Sequence, residues 1–90
     1  MYILCQENTR IIDSSYVTDF YIKSATSASW DGKLENHIEV RAFMTVSIGT
    51  EDSYIRTLEQ YDDMKTAQKA LRKLFCALRD GAEVFYMPQP

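Results

Sequence analysis

Ile38, Val40, Ala42, Met44, Val46 and Ile48 alternate with His37, Glu39, Arg41, Thr45 and Ser47. A period of two predicts a strand with one face in a core and the other in water; Phe43 is the exception on the polar side. Further along, the period changes. Met64, Ala67, Ala70, Leu71, Leu74, Phe75 and Leu78 recur at steps of three and four, the apolar stripe of an amphipathic helix over about 63–80. Asp62 or Asp63 is placed to accept from the unpaired first-turn N–H groups, Arg79 sits in the last turn, and Gly81 supplies the left-handed residue after it.

The rest of the pattern is extended. Tyr2 to Cys5 is a short apolar run ended by the polar turn Glu7-Asn8-Thr9-Arg10, and Ile11-Ile12 begins a second short piece stopped by Asp13-Ser14-Ser15. Val17 to Lys23 is rich in β-formers, with Phe20 and Ile22 on one face. Residues 24–36 read as a loop rich in serine and alanine, a long hairpin connection with a mobile tip at Asp31-Gly32, where Asp-Gly favours a turn. Gly49 to Ser53 turns the chain, and Tyr54 to Tyr61 returns as a strand of weaker alternation. A last strand, about 83–87, ends at Pro88. The expected fold is α+β, one domain over 1–90. It has a single antiparallel sheet of four to six strands, drawn from residues 1–61, one helix packed on one face, and a final short strand after the helix.

With 90 residues, such a chain supports one core and no second domain. No apolar run approaches the ~20 residues of a membrane-spanning helix, and the first residues lack the features of a signal peptide. The expected compartment is the cytoplasm. Cys5 and Cys76 show no CxxC or zinc-site spacing and are expected as reduced, structural thiols; a disulfide between them would require the first strand to run beneath the helix.

Charge divides the chain. Residues 1–63 carry eleven acids against five bases, and residues 64–90 five bases against two acids, so an overall −3 hides −6 followed by +3. Lys65, Lys69, Arg72, Lys73 and Arg79 form a basic stripe on the helix, continued by Gln68 and Cys76. It is the candidate surface for an acidic protein, or for a small-molecule or nucleotide ligand bearing phosphate, bound at the helix or at a dimer interface through this stripe or through Arg41 and Arg56; its plainer reading is a solvated face. A pI near 5.0 argues against nucleic acid as the partner. The acidic segment has a different alternative, a phage-type inhibitor whose carboxylates imitate nucleic acid.

Catalytic signatures are absent. His37 is the sole histidine and the one possible imidazole base. Glu51-Asp52 and Asp62-Asp63 read as turn and cap residues, and Asp31-Gly32-Lys33-Leu34-Glu35 lacks the alternating acids of a calcium loop. Neither a metal nor a cofactor is expected, and the expected activity is binding rather than catalysis. Eleven aromatic residues, six of them tyrosine, exceed what a core this small consumes, and one helix cannot cover both faces of a sheet. Self-association as a homodimer, through the second sheet face or an edge strand, follows as the expected use of the surplus.

Met1-Tyr2-Ile3-Leu4-Cys5-Gln6, the helix entry Tyr61-Asp62 with Ala67, Ala70-Leu71 and Leu74, and the closing Ala77-Leu78, Gly81 and Val84-Phe85-Tyr86-Met87-Pro88 together resemble a group of small uncharacterised proteins of Gram-positive bacteria and their phages. Residues 24–36 have no counterpart in that pattern. The resemblance implies a phage or mobile-element context, and no activity or catalytic residue to carry over.

Overall fold

The computed structural model describes residues 1–5, 9–45 and 54–90. Strands β1 (Tyr2–Cys5), β2 (Arg10–Asp13), β3 (Val17–Ala28), β4 (Leu34–Met44) and β5 (Ile55–Tyr61) precede helix α1 (Met64–Arg79), and β6 (Val84–Tyr86) follows it. The class is α+β, but the strands form two three-stranded sheets, β2-β1-β6 and β3-β4-β5, in place of the expected single sheet. Nor is the pairing wholly antiparallel, because β6 runs parallel to β1 with Tyr2 opposite Val84 and Leu4 opposite Tyr86.

The break between sheets is local. A 3₁₀ turn at Ser14–Tyr16 separates β2 from β3, and Asp13 caps it by accepting from the Ser15 N–H at 3.0 Å and the Ser15 hydroxyl at 2.9 Å. On one side of the turn the Ser14 N–H donates to the Met1 carbonyl in the first sheet. On the other, the Thr45 N–H donates to the Tyr16 carbonyl in the second. The polar run Asp13-Ser14-Ser15 thus hands the chain from one ladder to another.

Residues 24–28 and 34–36 are strand, which corrects the expected loop there. β3 and β4 pair without interruption from Phe20 opposite Ala42 to Ala28 opposite Leu34. Only residues 29–33 turn, with Gly32 at φ +83°. Small and polar side chains there do not exclude a ladder; they make one that buries little. β5 pairs β4 no further toward the tip than Ile38 opposite Tyr61, so the outer third of this hairpin projects as a two-stranded arm. On the other side, the alternation at Val46 and Ile48, the turn at 49–53, Glu51-Asp52 and residues 6–8 of the first turn lie outside the described residues.

The irregular pattern of β5 also has a cause. Val40 faces Glu59 but Arg41 faces Thr57, so Leu58 is an extra residue in a bulge. A bulge reverses the alternation beyond it. Leu58, Glu59 and Tyr61 are accordingly all buried.

α1 lies across the second sheet, touching β3, β4 and β5. Ala67, Ala70 and Leu74 are its buried residues, the two alanines letting the helix approach Val40, Ala42, Met44 and Leu58. Ile3, Cys5 and Ile12 bring the inner face of the first sheet into the same core, joined by Met87 just after β6. The Tyr61 hydroxyl, donating to the Pro88 carbonyl at 2.7 Å, ties β5 to the tail that follows β6. Burial, with the Glu59 carboxylate adding to it, raises this phenol's pKa to about 12.

The helix is capped as its sequence predicts. Asp63 accepts from the Thr66 N–H at 2.8 Å, and these bonds hold its carboxyl below the usual range. Gly81 follows the last turn at φ +72° with nothing near where a Cβ would stand. Gly81→Ala therefore meets backbone strain alone, and an equilibrium urea titration should show a loss of about 1 kcal/mol.

Candidate interaction surface

The five basic residues are placed together on the face of α1 turned away from the sheet. Lys65, Lys69, Arg72, Lys73 and Arg79 are all exposed, and Arg79 is bound to Asp80 at 3.1 Å in a solvent-exposed pair, which contributes little. Arg41 and Arg56 lie elsewhere: Arg41 is engaged by Glu39, and the Arg56 Nη1 donates to the Ile55 carbonyl at 3.1 Å.

Beside the basic stripe, the apolar stripe of α1 is wider than the sheet beneath it. Leu74 is buried, yet Phe75 is 61% exposed, with Met64 and Leu78 exposed on the same flank. That flank overhangs β3, an outer strand of its sheet. Between them opens a groove of about 520 Å³ lined by Leu71, Leu74, Phe75 and Leu78 of α1 and by residues 14 and 17–20, including Val17, Asp19 and Phe20. A second recess of about 390 Å³, lined by Gln68, Leu71, Arg72 and Phe75, continues it toward the basic face. Spacing showed Phe75 and Leu78 to be apolar helix positions. That they are left uncovered depends on where the sheet ends.

The hairpin arm carries the second exposed apolar element. Trp30, at its tip, is 99% exposed, and Leu34 is exposed beside it. The tip is well tied. The Ser29 N–H donates to the Lys33 carbonyl at 2.8 Å and the Gly32 N–H to the Ser29 carbonyl at 2.9 Å. The Asp31 carboxylate accepts from the Ser29 hydroxyl and the Lys33 N–H, bonds that hold its pKa below the usual range. The fold therefore presents the indole from a fixed turn. The outward face of the first sheet adds Tyr2, Ile11, Val84 and Tyr86, also exposed, so the aromatic surplus is on the surface.

His37 belongs to a different arrangement. On the face of the second sheet away from α1, its Nε2 lies 2.6 Å from Glu39 Oε2, while Arg41 Nε donates to Glu39 Oε1 at 2.6 Å and the Thr57 hydroxyl donates to the same oxygen at 3.0 Å. Glu39, on the side expected to be solvated, is only 5% exposed. Burial pushes its carboxyl pKa up, and the bonds from Arg41, His37 and Thr57 outweigh that and hold it below its usual value.

Glu59 is the counterexample. It is 8% exposed and its Oε2 has no partner, while its Oε1 accepts from the Gln60 N–H at 3.0 Å. The carboxylate sits close enough to the Cys5 thiol to raise its pKa; burial is the larger cause and Arg10 opposes both, leaving Cys5 at about 11. Cys5 and Cys76 are both free. A buried carboxylate with one oxygen unpartnered and no cation beside it among the described residues costs stability. Glu59→Gln removes the charge and keeps the acceptor for the Gln60 N–H, so it should stabilise the protein by about 1 kcal/mol in urea at neutral pH.

Among the described residues no three His, Cys, Asp or Glu side chains converge where a metal could bind, and no helix is long and apolar enough to cross a membrane. Of the described carboxylates, Asp13 caps the 3₁₀ turn, Asp63 caps α1, Asp31 braces the arm, and Glu39 and Glu59 are buried on opposite faces of the second sheet. No family model, curated protein or solved structure matches the chain.

Proposed function

We propose that this protein is a small non-enzymatic interaction domain that acts as a homodimer. One observation carries the reading: β3, twelve residues long, is an edge of its sheet and borders the uncovered apolar flank of α1. An open strand edge is a template for another strand. Beside exposed Phe75 and Leu78, pairing there adds apolar burial to the backbone hydrogen bonds. Light scattering over a concentration series should show the mass rising from 10.4 kDa toward twice that value. A mass that stays at 10.4 kDa into the millimolar range overturns the reading.

A second reading rests on the basic face of α1, where Lys65, Lys69, Arg72 and Lys73 are exposed and no acid intervenes between Asp63 and Asp80. Such a stripe attracts phosphate. Inorganic polyphosphate is the probe, and Lys69→Glu/Arg72→Glu should weaken its binding at least tenfold. Equal binding by variant and wild type reduces the stripe to a solvated face.

A further inference from the structure

We infer that the occupant of the groove between α1 and β3 is the tip of the hairpin arm of a second copy, with Trp30 as the inserted side chain. The inference rests on the dimer proposed above and adds what the two copies exchange. Each chain carries both an exposed indole on a hydrogen-bonded turn and an apolar groove of about 520 Å³. Tryptophan is among the residue types enriched as interface anchors, seated in well-packed pockets that exclude water.

The register of β3 brings the two together. Phe20 and Ile22 face α1, as their partners Ala42 and Val40 show. When two β3 edges pair antiparallel about a two-fold axis at Ile22, Phe20 of one copy lies opposite Ser24 of the other. Side chains of like facing then meet, and both helices stand on the same side of a continuous sheet. The strand ends at Ala28, so the turn that follows, residues 29–33, is carried just past the partner's Val17 and places Trp30 level with the end of the groove that Ser14 and Val17 line.

Spacing leaves room for the indole. With α1 over β4, the two helices would stand three strand spacings apart, about 14 Å, against the 8–10 Å of helices in direct contact. Large side chains must fill the difference. Phe75 and Leu78 face it from the helices, and Trp30 enters it from the arms.

Charge agrees on both rims. The tip carries Asp31 and Glu35 with Lys33 between them. The groove and its continuation offer Arg72 on the helix side and Asp19 on the strand side. Each inserted tryptophan removes about 150–250 Å² of its own surface and covers a comparable area of groove. Two reciprocal insertions with a paired strand edge reach the ~1,200–2,000 Å² of a stable interface.

Trp30 is the sole tryptophan, so its fluorescence reports the test. On raising the wild-type concentration, the emission should shift to shorter wavelength and acrylamide quenching should fall severalfold, in step with the mass. Trp30→Ala and Phe75→Asp alter exposed residues and should each weaken the dimer at least about 30-fold with unchanged circular dichroism. Trp30→Ala keeps an intact groove and Phe75→Asp an intact arm, so a mixed dimer keeps one of the two insertions and mixing should restore association in part. The only indole present, on the Phe75→Asp chain, should become shielded as the Trp30→Ala chain is added. A dimer whose Trp30 stays fully quenchable, or a mixture that associates no better than its parts, overturns the arm exchange while leaving the dimer standing. Shielding that does not depend on concentration also overturns it. A protein that stays monomeric overturns both proposals.

Discussion

Leu74→Ala is expected to lower stability by about 3 kcal/mol. Leu74 is fully buried, on the same helix face as Ala67 and Ala70 and in one core with Val40, Ala42, Met44 and Leu58 of the second sheet. Removing it forfeits the transfer free energy of the lost atoms and leaves a void that a rigid helix-on-sheet contact closes only partly. The neighbouring alanines have no side-chain length to reach across. For a domain of 90 residues, whose total stability is about 5–13 kcal/mol, that is a large fraction. The melting temperature should fall by about 12–24 °C. Phe75→Ala, one residue along but largely exposed, should cost under ~1 kcal/mol in the monomer. Urea titrations of the two variants at low concentration check both values; similar losses would mean that Phe75 is as embedded as Leu74.

Glu39→Ala should cost about 2–3 kcal/mol at neutral pH, because three donors aimed at one buried carboxylate lose their acceptor together and Arg41 is left partly desolvated. The pH dependence follows from the direction of the shift. Glu39 has a folded-state pKa below its usual value of 4.5. Its contribution is therefore fully present above about 4.5 and is lost as the pH falls through the lower, folded-state value. Urea titrations from pH 7 to pH 2 should show the gap between wild type and Glu39→Ala narrowing only at the acid end. A gap that persists at pH 2 would assign the effect to packing. Glu59→Gln is expected to act in the opposite direction, so two carboxylates on adjacent strands, both buried, should respond to mutation with opposite signs.

What could be read from the sequence was what depends on near neighbours. The stripe through Ala67, Ala70 and Leu74 and the caps at Asp63 and Gly81 are set within a few turns of one helix, and the alternation from Ile38 to Met44 within one strand. Partnership was not legible. Nothing local says that β6 joins β1 in parallel, or that the turn at Ser14–Tyr16 starts a second sheet. The arm was hidden by composition, since Ser24, Thr26 and Ser27 make a ladder as well as valines do but leave no apolar signature. The bulge at Leu58 scrambled β5 for a similar reason, its cause being the register of β4 across from it.

The same division held for the candidate surface. The basic stripe of Lys65, Lys69, Arg72, Lys73 and Arg79 could be drawn from spacing alone. The groove could not, because Phe75 and Leu78 look like core until the sheet is seen to end at β3. Glu39 shows the limit from the other side. Its place in the alternation puts it on the polar face, and its burial comes from His37, Arg41 and Thr57 closing round it.

The parallel pairing of β1 with β6 has a consequence for the order in which the protein is made. A chain leaving the ribosome can close the β3–β4 hairpin, add β5 and lay α1 over them using neighbours already synthesised. β1 emerges before β6 and must wait for Val84–Tyr86, so until β6 is made one side of it stands open with only β2 at its other flank. Joining strands so far apart in the chain is slow compared with closing a hairpin. β1, made before every other strand of these two sheets, is the last of them to be completed, and for that interval its open edge needs shelter from other nascent chains.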